Sequence, residues 1–309
     1  MTTSFELGLR RGVIVTGKWN RGRYRVERML GEGANGKVFL VQRERDKGWY
    51  ALKVGANAVD LQSEINVLKS LAGQNRSSGT GSFLIDVDDL CAMDGSEHPF
   101  YVMRYVRGAT LSEYLERSGP EWFPLVGYNL LLKLSGLHDA GWAFGDLKVE
   151  NVLVADYGRV ELVDYGGVTA FGKSVRQFTE IYDRGYWNAG SRTADAGYDL
   201  FSFAVMCIQL HEKRKLAQMA ASLLPQNRSP EELMKLVQHN NALRPLSGWL
   251  GGALTGRFAN GREAAAAWQR LMHRPGGNRR AGAVPGWMKA MFMASAALLA
   301  VTIYWYVRS

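Results

Sequence analysis

The chain has 309 residues, 47% hydrophobic and 22% charged, which supplies a large core and excludes a disordered chain. Its two cysteines, Cys91 and Cys207, lie in apolar stretches without metal-ligand spacing, so no disulfide framework is predicted and both read as buried thiols. A net charge of +9 favours anionic partners (nucleic acid, acidic lipid or acidic substrates).

Met1 to Glu6 has no apolar core behind a charged start, so no signal peptide is predicted. Residues 1–23 carry Arg10, Arg11, Lys18, Arg21 and Arg23 and read as a basic arm with one short strand at Val13 to Val15. From Tyr24 to Val54 the pattern is strand-rich, with β-prone runs at Lys37–Val41 and Trp49–Val54. Leu61, Ile65, Leu68 and Ala72 then form one apolar stripe of a helix. A polar loop spans Gly73 to Gly81, and Phe83–Val87 and Phe100–Tyr105 read as further strands.

After Gly108 the pattern turns helical. Thr110 and Glu113 fit a capping box, Tyr128–Leu137 is an apolar helix, and Leu200–Leu210 is apolar nearly all round and so buried. Ser229 and Asn260 each begin a later helix with an acid three residues on. This order predicts a strand-rich lobe (24–107) with one helix before a larger helical lobe (108–273), an α+β bilobal architecture.

Residues 274–286, rich in Gly, Arg and Pro, suit a linker, and 287–307 reads as a transmembrane helix. Ala290 to Val307 holds 18 consecutive residues without a charge, about 27 Å of helix at about 1.5 Å per residue. Trp287 lies at one end and Tyr304, Trp305 and Tyr306 at the other, as interfacial aromatics do. Arg274, Arg279, Arg280 and Lys289 precede the span and only Arg308 follows, so the positive-inside bias keeps the N-terminal part in the cytoplasm of a single-pass cell-membrane protein.

The chemistry-bearing residues fall between the strands and the buried helix. Gly31, Gly33 and Gly36 lie between two strands, where glycines let a turn approach phosphate oxygens. A strand follows rather than a helix, which disfavours a dinucleotide fingerprint. Lys53 lies on the next strand, positioned to grip phosphates, and Glu64 sits at the edge of the helical stripe, a carboxylate in need of that cation. Gly145-Asp146-Leu147-Lys148-Val149-Glu150-Asn151 puts a base, a phosphate-facing cation and a metal ligand on one loop. Asp164, thirteen residues after Asn151 and followed by Tyr165-Gly166, supplies the second metal ligand. Phosphoryl transfer needs this combination, because the protein mainly positions reactants and neutralises oxygen charge.

With these motifs the chain resembles the bacterial Hanks-type (eukaryotic-like) serine/threonine protein kinases from about Tyr24 to Met272. The resemblance implies the bilobal protein-kinase fold, ATP with Mg2+ (Mn2+ being able to stand in) and protein Ser/Thr hydroxyls as substrate. It implies that Lys53 pairs Glu64, that Asp146 is the base and that Asn151 and Asp164 bind the metal. Met103, Arg104 and Val106 match the family's adenine-facing hinge, and Val38, Ala51 and Leu153 its apolar walls. Asp199 matches the buried Asp under the catalytic loop.

Three departures stand out. Phe144-Gly145-Asp146 replaces His-Arg-Asp, so the Arg that clamps an activation-loop phosphate is missing and loop phosphorylation is not expected to be the on-switch. Asp183–Trp187 occupies the place of Ala-Pro-Glu, and Arg257, which matches the partner of that Glu, is expected to pair elsewhere. Tyr165 replaces Phe.

Phe144-Gly145-Asp146 also resembles the aminoglycoside- and choline-type small-molecule kinases, which carry His where Lys148 stands. A pseudokinase scaffold binding nucleotide or DNA is the other alternative. The architecture resembles the membrane-anchored sporulation kinases of endospore-forming bacteria, which implies DNA as an activator; a homodimer is compatible with it. Arg10, Arg11, Lys18, Arg21, Arg23 and Arg25, with Lys213, Arg214 and Lys215, are the candidate contacts to DNA phosphate or anionic lipid.

Overall fold

The β-branched and aromatic runs of the first third become strands: β1 (Ile14–Thr16), β2 (Arg23–Gly33), β3 (Gly36–Arg43), β4 (Trp49–Gly55), β5 (Leu84–Cys91) and β6 (Glu97–Arg104). They form one antiparallel sheet in the order β1-β2-β3-β4-β6-β5. The computed structural model describes residues 8–33, 36–74, 83–91, 95–176, 178–273 and 286–308. The tip of the glycine loop, the polar loop past Gln74 and the linker 274–285 lie outside the described residues.

Side chains alternate across a strand, so each strand feeds two cores. Leu52, Val54, Phe100 and Val102 pack with Val15, Tyr24 and Phe39 on one side. Ala51, Tyr101 and Met103 point to the other, where α1 (Ala58–Gln74) lays down Leu61, Ile65 and Leu68 of its predicted stripe. Lys53 pairs in register with Tyr101 and Ala51 with Met103, so the cation shares that second face.

The helical lobe begins with β7 (Ala109–Thr110) and α2 (Leu111–Ser118), whose predicted capping box forms: Glu113 N–H donates to Thr110 Oγ1 and Thr110 N–H to the Glu113 carboxylate. Then come α3 (Phe123–Asp139), β8 (Trp142–Ala143), β9 (Val152–Ala155), β10 (Arg159–Leu162) and β11 (Thr169–Ala170). They are followed by α4 (Ala196–Ser222), α5 (Pro230–His239), α6 (Ser247–Leu254) and α7 (Gly261–Met272). Phe123, Phe203, Trp249 and Trp268 interlock edge-to-face at 5.0–5.8 Å between centroids and anchor α3, α4, α6 and α7 to one core. Helix α4 is longer than the apolar run that announces it, because a kink at Glu212 (φ −133°, ψ 37°) turns a second, surface half away from the buried one. Asn260 caps α7 by accepting from Glu263 N–H (2.9 Å), whereas Ser229 makes no such side-chain cap to α5.

The short strand expected in the basic N-terminal segment forms: β1 pairs with β2, Val15 is buried, and the N–H groups of Trp19 and Asn20 donate to Asp88 at 2.9 and 2.7 Å, which ties the segment to the sheet. Arg11 pairs with Glu27, Lys18 with Glu97, and Arg23 and Arg25 with Glu44, since the neighbouring strands carry acids where the segment carries bases. Cys91 is exposed, not buried, because it ends the edge strand β5; Cys207 is buried in α4 as expected.

The chain divides into two compact units, Met1–Met272 and His273–Ser309. In the second, α8 (Gly286–Arg308) exposes Met291, Phe292, Leu298, Ile303 and Trp305. Among the described residues no helix is long and apolar enough to cross a membrane; the side chains of 286–289 and of Val307 lie outside them.

Candidate active site

The site is built on three supports: the sheet face of β4, helix α1, and the loops flanking the β9–β10 hairpin. Lys53 comes from the first, and its Nζ lies 3.0 and 2.7 Å from the two oxygens of Glu64 on α1 and 2.9 Å from Asp164 Oδ1. Tyr101 O–H donates to Glu64 Oε1 at 2.9 Å, so the buried carboxylate is satisfied from two sides. Burial works against the charge on Lys53, but Glu64 and Asp164 outweigh it and raise its pKa. For Glu64 burial dominates over Lys53 and pushes the carboxyl up. Burial also raises Asp164, yet Lys53 first, then Lys148 and the Gly166 N–H, bring it below the usual carboxylate range. We read the triad as one cation shared by two carboxylates, the half-exposed Asp164 being the more firmly ionised of the two.

Gly36 has φ +135°, and a Cβ there would meet Val54 O at 2.0 Å, so only glycine fits where β3 leaves the glycine turn. Gly31 and Gly33 face open space, which leaves their backbone accessible. Val38, Ala51 and Met103 belong to one apolar cluster beside Lys53. Arg104 directs its side chain away to Glu161 (3.1 Å), Val106 is half-buried on the strand's exit, and Leu153 lies on β9 opposite Thr110 and Glu161.

The second group of residues sits on Phe144–Asn151. Lys148 Nζ donates to Asp146 Oδ2 at 2.6 Å. Asn151 Nδ2 donates to the Asp146 backbone carbonyl at 2.9 Å, which leaves its Oδ1 to accept or ligate. The loop hangs on Asp199 of α4, fully buried, which accepts from Phe144 N–H (2.7 Å) and Gly145 N–H (2.9 Å) and faces His138 Nε2 at 2.9 Å. Gly145 has φ +82°, and a Cβ there would meet Gly167 O at 2.3 Å, so the replacement of the family's Arg has a local cause in the close approach of these two strands of chain. Asp164 also holds a left-handed backbone (φ 62°, ψ 78°), strain of the kind stored at functional sites. Tyr165 packs edge-on against Phe144 (5.9 Å) and tilted against Phe83 (5.4 Å), joining the cores of both lobes.

Two contacts were not foreseen from the sequence. Thr179 O–H donates to Asp146 Oδ1 at 2.9 Å and Lys148 Nζ lies 3.4 Å from the same hydroxyl, although no local pattern marks this threonine. Tyr101 was legible in principle, two residues before Met103 on the face that Lys53 occupies. The Ala-Pro-Glu replacement also resolves differently from the expectation: Asp183 pairs with Arg192 (2.7 Å), and Arg257 has no carboxylate partner among the described residues.

Among the described residues no group of three or more His, Cys, Asp or Glu could hold a metal. Asn151 and Asp164 instead offer oxygens of the hard type that Mg2+ takes one or two at a time, the remainder being phosphate and water.

The protein kinase domain family matches residues 24–247. The chain belongs to the protein kinase family. It is 36% identical over 263 residues to the serine/threonine-protein kinase YabT of Bacillus subtilis, covering 84% of this chain and 75% of that one. It is 24% identical over 206 residues to the serine/threonine-protein kinase CLA4 of Candida albicans, of whose length the match spans 20%. The kinase domain of Mycobacterium tuberculosis PknI superposes with a TM-score of 0.56 at 24% identity over 86% of this chain and all of that one, which shows the fold. The chain is thus a Hanks-type bacterial kinase, an ATP-dependent enzyme acting on protein Ser/Thr hydroxyls.

Proposed function

We propose that transfer runs between the two clusters described above, with Asp146 orienting and accepting the proton of the substrate hydroxyl. The observation that carries this reading is the pair of contacts on Asp146: Lys148 on one carboxylate oxygen and Thr179 on the other, which aim it at the cleft. Lys53, held by Glu64, meets the nucleotide phosphates; Gly31, Gly33 and Gly36 supply backbone donors, and Val38, Ala51, Leu153 and the Met103–Val106 backbone enclose the base. Asn151 and Asp164 hold Mg2+, which when bound offsets phosphate charge. Lys148 adds a cation beside the acceptor. Asp146→Asn is expected to lower peptide phosphorylation about a thousandfold while ATP affinity stays within about twofold. Full activity in that variant would remove Asp146 from the reaction.

We further propose that the kinase is tethered to the cell membrane by α8 with its catalytic unit in the cytoplasm. The 18 uncharged residues from Ala290 to Val307, flanked by basic residues mainly on the N-terminal side, support this. Resistance of the full chain to alkaline carbonate extraction, lost on truncation after Met272, is the expected result; release of the full chain counts against it. A response to DNA would fall to Arg10, Arg21, Lys213 and Arg214, which have no carboxylate partner among the described residues, rather than to the paired arm residues. Activity with and without duplex across a salt series tests this, because phosphate contacts weaken steeply with salt.

A further inference from the structure

The segment Phe178 to Arg192, which meets Asp146 through Thr179, contains one short helical turn and little other regular structure, yet its side chains are closely bound. Arg192 gathers three of its contacts. Its Nε donates to Asp183 Oδ2 at 2.7 Å, and Asp183, fully buried, also accepts from Gly185 N–H (3.1 Å), Tyr186 N–H (3.0 Å) and Tyr198 O–H (2.9 Å). Its guanidinium carbon lies 4.6 Å from the Phe178 ring centre. Its backbone carbonyl accepts from Val175 N–H at 2.8 Å, next to the bonds Ala194 N–H to Lys173 O and Gly172 N–H to Ala194 O. One residue thus ties the start of the segment, its end and a buried carboxylate of α4's neighbourhood together. Phe178, on which it stacks, immediately precedes Thr179, the residue that holds Asp146.

We propose that Arg192 is the positioning residue that holds the Phe178–Arg192 segment in its transfer-competent arrangement, so that the chain needs no phosphate on this segment to be active. In switchable kinases a loop phosphate supplies such order by meeting an Arg cluster. Here the acidic partner is Asp183, a side chain of the protein itself, and the cation comes from within the segment. Gly145 leaves no Arg beside Asp146 to receive a phosphate. Two further features point the same way. Arg184 forms a bidentate pair with Asp195 (2.9 and 2.7 Å) and donates to Thr193 O, so the strand beside Arg192 is independently fixed. The Arg192 side chain itself is 46% exposed, so removing its charge need not unfold the core, whereas Asp183 has no such freedom.

The inference rests on Asp146 as the group that meets the acceptor hydroxyl, and the test separates the two. The full chain is treated with a phosphatase, and Arg192→Met and Arg192→Lys are compared with it for peptide phosphorylation, ATP affinity and ATP hydrolysis without peptide. We expect the dephosphorylated wild type to retain its rate. Arg192→Met should lose about tenfold or more in kcat/KM for peptide with ATP affinity and peptide-independent hydrolysis within about twofold, and Arg192→Lys should recover part of the loss. A purely structural role would lower all three readouts together, and that result overturns the proposal, as does an unaltered peptide rate in Arg192→Met or a wild type silenced by the phosphatase. Activity retained by Asp146→Asn would refute the reading of Asp146 instead, whatever Arg192 does.

Discussion

The catalytic loop and the segment Phe178–Arg192 meet at the Thr179–Asp146 bond, and each hangs two consecutive backbone N–H groups on a buried carboxylate, yet they differ in what else holds them. Phe144–Asn151 is fixed through its backbone: two consecutive N–H groups donate to one buried carboxylate, and a glycine at φ +82° fits against Gly167. Phe178–Arg192 adds side-chain pairs to its backbone bonds: Asp183–Arg192, Arg184–Asp195 and the stacking of Arg192 on Phe178. Backbone fixing depends on few residue identities and survives change around them. Side-chain fixing needs particular partners, and here Asp183 with Arg192 supplies one such pair.

The largest effect is expected at Gly145. Gly145→Ala places a Cβ 2.3 Å from Gly167 O at a left-handed φ, so we expect a stability loss of about 3 kcal/mol in a denaturant melt, together with loss of most activity. An equal melt would show that the loop accommodates side chains. Asp199→Asn leaves one of the two backbone donors facing an amide; about 2 kcal/mol of stability should go, and the kcat of any folded fraction should fall with it. Thr179→Ala tests where the two regions meet. Removing a hydroxyl bonded to a carboxylate should lower kcat about tenfold while the melting temperature hardly moves, since Thr179 is only half-buried.

The smallest effect sharpens the contrast with the cleft above. Lys53 has a raised pKa in the folded chain, so its contribution to stability is fully present below its ordinary value of 10.5 and is lost as pH rises through the folded value. The stability difference between wild type and Lys53→Met should therefore stay level from about pH 7 to pH 10 and shrink only above that. A difference that fades near neutrality would mean that Lys53 is not held as a cation.

Much of this was legible in the chain itself. The stripe of α1, the β-prone runs that become β3 and β4 and the Thr110 capping box follow from helical periodicity, side-chain type and cap chemistry, all local. The Asp146, Lys148 and Asn151 cluster was legible for the same reason, its members lying within six residues. Thr179 and Arg192 were not, because each acts across a loop whose path no local rule prescribes. The carboxylate partners of the basic N-terminal segment were hidden for a related reason: Glu97 and Glu44 come alongside Lys18 and Arg23 only in the folded sheet.

By itself, then, the sequence determined which residues could carry phosphoryl transfer and on which elements they ride, since motif spacing and side-chain period are properties of a single stretch of chain. Tertiary structure alone decided which carboxylate each cation meets: Lys53 with Glu64 and Asp164, Arg192 with Asp183, the arm's bases with the sheet's acids. Charge pairing acts over a few ångströms of space regardless of separation along the chain, so only the folded path could settle it.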